Sequence, residues 1–185
     1  GLEGAAEASR LSVLLTLRRR ETGEGDFQRL LGAIAVAARR LPHVTFQYPM
    51  HPNPALLRLA KKAFASLPNV QLLGPKPYGE FVSLLMRSSL VLTDSGGIQE
   101  EAALLGRKVL LLRDRTERDD GLADGTVRLL GKDPADVREA IVRHFRDTGC
   151  SSGEAPTRLP KGGAARMIAR VISNPRQVVG GVGHG

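Results

Sequence analysis

A serine, two glycines and a carboxylate lie in the run Thr93-Asp94-Ser95-Gly96-Gly97-Ile98-Gln99-Glu100-Glu101-Ala102. Glycines let a backbone come close to a ligand, and the amides of a first helical turn have no intrahelical acceptor. The partial positive charge at such a helix start suits a phosphate. Glu101 follows Gly97 by four residues and shares its helix face. A carboxylate there can accept from ribose hydroxyls. A loop holding phosphate and sugar together points to a nucleotide. On residue types alone, Ser-Gly-Gly also reads as an ordinary turn. What separates the two readings is the scaffold around it.

Apolar and β-branched runs predict strands over 11–17, 44–48, 69–73, 90–93, 108–112 and 126–130. Helical spacing predicts helices over 27–40, 54–64, 78–87 and 97–105, and from Asp133-Pro134 to about 146. Asn53 is a candidate N-cap, with Pro54 at the first turn. Strict alternation of strands and helices implies an α/β fold: a Rossmann-like parallel sheet with helices on both faces. Residues 11–173 read as one domain. Residues 1–10 are expected to be a loose end, 147–163 a loop, 163–172 a last helix, and the glycine-rich 174–185 a disordered tail.

In an open parallel sheet, ligands bind beyond the carboxyl ends of the strands. Four polar segments follow predicted strands, at 18–21, 49–53, 95–101 and 113–118. Together they define one crevice. Arg18, Arg19 and Arg20 either send one guanidinium to a phosphate in bidentate fashion or form a solvated basic turn. Glu21 either orients an arginine or caps the next helix. His51 sits in a rigid turn between Pro49 and Pro52. Phe81 reads most simply as core. Arg113, Glu117 and Arg118 can pair with one another to hold their loop, or Arg118 can reach a phosphate.

These segments resemble, in order and spacing, the signatures of the non-hydrolysing UDP-N-acetylglucosamine 2-epimerase family. Arg18-Arg19-Arg20-Glu21 is similar to the family's His-Arg-Arg-Glu, and Tyr48-Pro49-Met50-His51-Pro52-Asn53-Pro54 to its Tyr-Pro-x-His-x-Asn-Pro. Leu112-Arg113-Asp114-Arg115-Thr116-Glu117-Arg118 is similar to its Arg-Asp-x-Thr-Glu-Arg, and the Ser95 run to its glycine signature. The likeness extends from about Leu11 to about Ile172.

The resemblance implies interconversion of UDP-N-acetylglucosamine and UDP-N-acetylmannosamine by elimination and re-addition of UDP, for cell-surface polysaccharide synthesis. It implies a fold of two Rossmann-like halves, as in glycosyltransferase-B enzymes. The likeness is to the C-terminal half, which grips UDP. The N-terminal half, with most of the acid/base carboxylates and dimer contacts, is the expected partner; a homodimer would belong to the full-length protein. Phe81 then lies against the uracil ring. Arg19, Glu21, His51, Ser95, Gly96, Gly97, Glu101 and Arg118 contact UDP or substrate. Arg18 stands where the family has a histidine acting in catalysis or on the diphosphate; an arginine binds phosphate but is no acid or base near neutral pH. That exchange keeps a degenerate, non-catalytic nucleotide-sugar module open as an alternative. The shared architecture keeps open a glycosyltransferase donor domain.

Bulk properties narrow the classes. The 185-residue chain is 42% hydrophobic but only 4% aromatic, so aliphatic side chains must fill its core. Its net charge of +8 is scattered, and with no Trp and two Tyr it lacks the stacking platforms of single-strand binders. Nucleic acid is therefore not expected as a partner. No run approaches the ~20 apolar residues that span a bilayer. The single Cys150 forms no internal disulfide, and no Cys/His cluster has metal spacing. The expectation is a cytoplasmic protein with no membrane partner, metal or cofactor.

Overall fold

A computed structural model describes residues 11–17, 23–50, 53–117 and 121–147. The readings for 1–10, 148–163, the helix over 163–172 and the 174–185 tail fall outside those residues.

Strands β1 (Ser12–Thr16), β2 (Thr45–Pro49), β3 (Val70–Leu73), β4 (Leu90–Thr93), β5 (Lys108–Leu111) and β6 (Val127–Leu129) form one sheet. Every pairing is parallel, in the order β3-β2-β1-β4-β5-β6. This is the doubly wound Rossmann order, whose direction reverses between β1 and β4. Those two central strands are buried along their whole length, which is why their sequences are continuous apolar runs rather than alternating ones.

Helices α1 (Glu24–Arg40), α2 (Pro54–Phe64), α3 (Tyr78–Arg87), α4 (Gly96–Leu104) and α5 (Pro134–Asp147) cover both faces. Successive strand residues point to opposite sides. Val13 and Leu15 therefore join Leu31, Ile34 and Phe46 in one core, whereas Leu14 joins Val91, Val82, Leu85 and Leu105 in the other. The second face, built by α3 and α4, carries the nucleotide-like signature.

Local chemistry sets the ends of these elements. Asn53 Oδ1 accepts from Ala55 N at 2.9 Å, and Pro54 fills the first turn of α2, as expected. Asp133 caps α5 through Ala135 N and Asp136 N. Helix α4 ends where Gly106 takes a φ of 65°. Its N–H donates to Ala103 O and that of Arg107 to Ala102 O, a glycine C-terminal cap. Helix α1 begins at Glu24, three residues before the apolar periodicity becomes visible at Phe27. Its first turn holds Glu24 and Asp26 and no large apolar residue, so charge complementing the helix dipole starts it.

Candidate functional site

A cavity of about 430 Å³ opens beyond the carboxyl ends of β1 and β2, against α3 and α4. The wall is formed by Thr16 and Leu17 after β1, Met50 after β2, Tyr78 and Phe81 of α3, and Ile98 and Glu101 of α4. It lies beside the switch between β1 and β4, the position where open α/β sheets take ligands. Its size falls in the ~300–1,000 Å³ span of small-molecule sites.

The ends of β1, β2, β4 and β5 are pinned by buried side chains. Thr93 is fully buried; its hydroxyl donates to Thr16 O at 3.4 Å and accepts from Ser95 N at 3.0 Å. One side chain thus ties the glycine turn to the end of β1. Tyr48, also buried, donates its hydroxyl to Leu17 O at 3.2 Å. Burial, with Asp94 nearby, holds that hydroxyl far above its usual pKa, so it stays a neutral donor. The fully buried Gln99 accepts from Thr116 Oγ1 at 3.0 Å, fastening the segment after β5 to α4. Tyr48, Gln99 and Thr116 belong to the sequence motifs, and their work is to hold the loops.

Glu101 faces the cavity. Its Oε2 is buried with no hydrogen-bond partner. Burial raises the carboxyl pKa above its ordinary value; the nearby Tyr78 hydroxyl offsets part of the rise and the charge of Glu100 adds to it. Thr16 Oγ1, in the same wall, is the other buried side-chain polar atom left unpartnered among the described residues. Buried polar groups are normally satisfied. An unpaired acceptor and an unpaired hydroxyl in one cavity fit a ligand rich in hydroxyl and carbonyl groups.

Among the expected site residues, the cavity brings together Phe81 and Glu101. Phe81 is half-buried, packing on the α3–α4 core with one side toward the cavity, so the simple core reading covers only part of its role. Ser95, Gly96 and Gly97 do not line the wall, although the next residue, Ile98, does. Ser95 is the N-cap of α4, its side chain makes no capping bond, and the helical ladder starts with Gln99 N donating to Ser95 O. Both glycines have ordinary negative φ, and a Cβ placed on the exposed Gly97 would meet only Ser95 Oγ, at 3.9 Å. Among the described residues, nothing requires glycine there. Arg18, Arg19, Glu21, His51 and Arg118 lie outside the described residues; in sequence they adjoin Leu17, Met50 and Glu117.

Sequence reasoning missed Thr16 and Tyr78. Thr16 carried a signal, a polar residue within Leu-Leu-Thr-Leu at a strand's end. Tyr78 carried one too, lying three residues before Phe81 on the same helical face. Among the described residues no cluster of three or more His, Cys, Asp or Glu could hold a metal ion, and no helix is long and apolar enough to cross a membrane.

The model of a family described as UDP-N-acetylglucosamine 2-epimerase matches residues 3–173. The UDP-N-acetylglucosamine 2-epimerase of Escherichia coli K12 is 39% identical over 166 residues, covering 89% of this chain and 44% of its own length. That of Yersinia pestis is 39% identical over 141 residues, covering 76% and 38%. The Neisseria meningitidis UDP-GlcNAc 2-epimerase, solved bound to UDP-GlcNAc, superposes with a TM-score of 0.71 at 31% identity, over 90% of this chain and 45% of that one. The S. aureus MnaA–UDP co-structure gives 0.72 at 28%, over 92% and 46%. The chain thus spans less than half the length of the relatives it matches.

Proposed function

The chain belongs to the UDP-N-acetylglucosamine 2-epimerase family, and from that premise we propose that it forms the UDP-gripping half of such an enzyme. The observation that carries the reading is the cavity at the β1/β4 switch, where an aromatic ring and a carboxylate face the same space. Phe81 offers its ring to the uracil. Glu101 accepts from the ribose hydroxyls. The start of α4, at Ser95, Gly96 and Gly97, presents amides to the diphosphate. Arg19 and Arg118 supply charge to the same phosphates, and Glu21 and His51 complete the contacts.

In the complete enzyme this half binds and holds UDP while the bond from C1 of the sugar to the UDP oxygen breaks and a glycal forms. Re-addition of UDP, with a proton returned to the opposite face of C2, gives the epimer. The carboxylates that move the C2 proton belong to the other half of a glycosyltransferase-B-like pair. The setting is cytoplasmic, supplying cell-surface polysaccharide assembly, and the full-length protein is a homodimer.

Arg18 favours a second reading, a nucleotide-sugar module without turnover, because guanidinium does not exchange protons near neutral pH. A chimera separates the two. This chain replaces the C-terminal half of the E. coli K12 relative, and formation of UDP-N-acetylmannosamine is followed. The epimerase reading expects turnover, increased roughly 100-fold by Arg18→His if a general acid or base is restored. Binding of UDP without turnover in either form would leave only the binding module.

A further inference from the structure

Resting on the UDP reading above, we propose that Thr16 is a further binding residue of this cavity: its hydroxyl donates to the ribose diol whose protons Glu101 accepts. Thr16 ends β1 and is 8% exposed. Side chains alternate across a sheet, so Thr16 shares a face with Leu14, which packs in the α3–α4 core, while Val13 and Leu15 fill the core on the other side. Thr16 therefore stands on the face that holds Phe81 and Glu101, and it lines the cavity with them.

The other buried hydroxyls among the described residues are used inside the fold. Ser12 Oγ donates to Arg87 O at 3.3 Å and Ser88 Oγ to Leu85 O at 2.7 Å, while Ser89 Oγ accepts from Ser12 N at 3.2 Å. Tyr48 donates to Leu17 O. Thr93, opposite Thr16 in the strand register, engages Thr16 O and Ser95 N. Thr16 Oγ1 has no partner. Burying an unpaired hydroxyl is costly and uncommon, and valine would serve this strand position equally well without one. The hydroxyl is therefore accounted for by a ligand. Glu101 Oε2, the second unpartnered atom of the cavity, only accepts when ionised, whereas a threonine hydroxyl donates or accepts. A ligand group serving both needs a proton for the carboxylate and a lone pair for the threonine. A hydroxyl has both, and a vicinal diol offers them twice. Ser95, Gly96 and Gly97 do not line this wall, so the part of the nucleotide between Thr16 and Glu101 is its sugar rather than its diphosphate.

The test uses Thr16→Val, which removes the hydroxyl and keeps a β-branched shape, beside Thr16→Ser, which keeps the hydroxyl. Each full chain is melted without ligand, then titrated with UDP and with 2′,3′-dideoxy-UDP, following amide NMR shifts. Thr16→Val is expected to melt at the same or a higher temperature, because the unpaired group is gone. It should bind UDP about 3- to 10-fold more weakly, with 2′,3′-dideoxy-UDP unchanged. Thr16→Ser should hold UDP within about 2-fold of wild type. A lower melting temperature for Thr16→Val would mean that the hydroxyl has a partner inside the fold. Unchanged UDP affinity, or an equal loss for both nucleotides, would take the hydroxyl away from the diol. Each of these results overturns the inference and leaves the UDP site standing. Wild type that binds neither nucleotide overturns the UDP reading and this inference with it.

Discussion

Gly97 is where the protein and its ligand make opposite demands. Its φ is ordinary and its surroundings are open, so alanine costs the fold nothing; within a helix alanine is favoured by up to ~1 kcal/mol. On the proposed reading, the glycine serves close approach of a phosphate to the backbone. Gly97→Ala is therefore expected to keep or slightly raise the melting temperature while weakening UDP at least 10-fold. Equal UDP affinity would remove the phosphate from this turn. Glu101 gives a second residue-level consequence through its proton. Burial raises its carboxyl pKa above the ordinary 4.5, so the folded chain holds that proton more tightly than the unfolded one. The stability this contributes is present at low pH and is lost as pH rises through the raised value. If the proposed site holds UDP through the ionised carboxylate, affinity runs the other way and falls as pH drops through the same window. The dissociation constant against pH, measured beside Glu101→Gln to subtract titration of the phosphate, should show an acid limb that the variant lacks.

At the scale of elements, the loops are held by a few buried side chains, and one glycine is there for the fold. Gly121 has a φ of 75°, and a Cβ there would lie 2.7 Å from Val127 Cγ2 and 3.1 Å from Ala103 Cβ. Gly121→Ala combines a left-handed backbone with overpacking and should cost on the order of 3 kcal/mol, read by denaturant unfolding; a loss under about 1 kcal/mol would mean the segment gives way freely. This close approach depends on β6 folding back beside α4, which no local pattern contains. The elements themselves were legible. Helix α2 and helix α3 start and stop where capping and periodicity place them, because Asn53-Pro54 and the Phe81, Leu84, Leu85 face act locally. The strand order was not legible, since alternating strands and helices fit several parallel orders. The joint wall of Tyr78 and Glu101 was hidden for the same reason: residues 23 positions apart line one cavity only once α3 and α4 lie side by side on one face. The strand–glycine turn–helix start at β4 and α4 was legible in the sequence, while Thr93, which ties that turn to β1, read only as strand.

For the molecule as a whole, the doubly wound sheet leaves an open cavity beyond β1 and β2, which the proposed function takes as one wall of a two-lobed site. A ligand held on one side keeps its other face in water, so UDP should bind this chain nearer millimolar than micromolar, a difference of ~4 kcal/mol. On the proposed reading, the remaining affinity comes from closure of the other half over the sugar. The central claim is that the cavity between α3 and α4 is a uridine nucleotide site. The most direct measurement is a titration of the chain with UDP, with AMP as control, following amide NMR shifts. Saturable, UDP-selective shifts in residues 95–101 and around Phe81 are the predicted result. Equal shifts with AMP, or none at millimolar UDP, would contradict it.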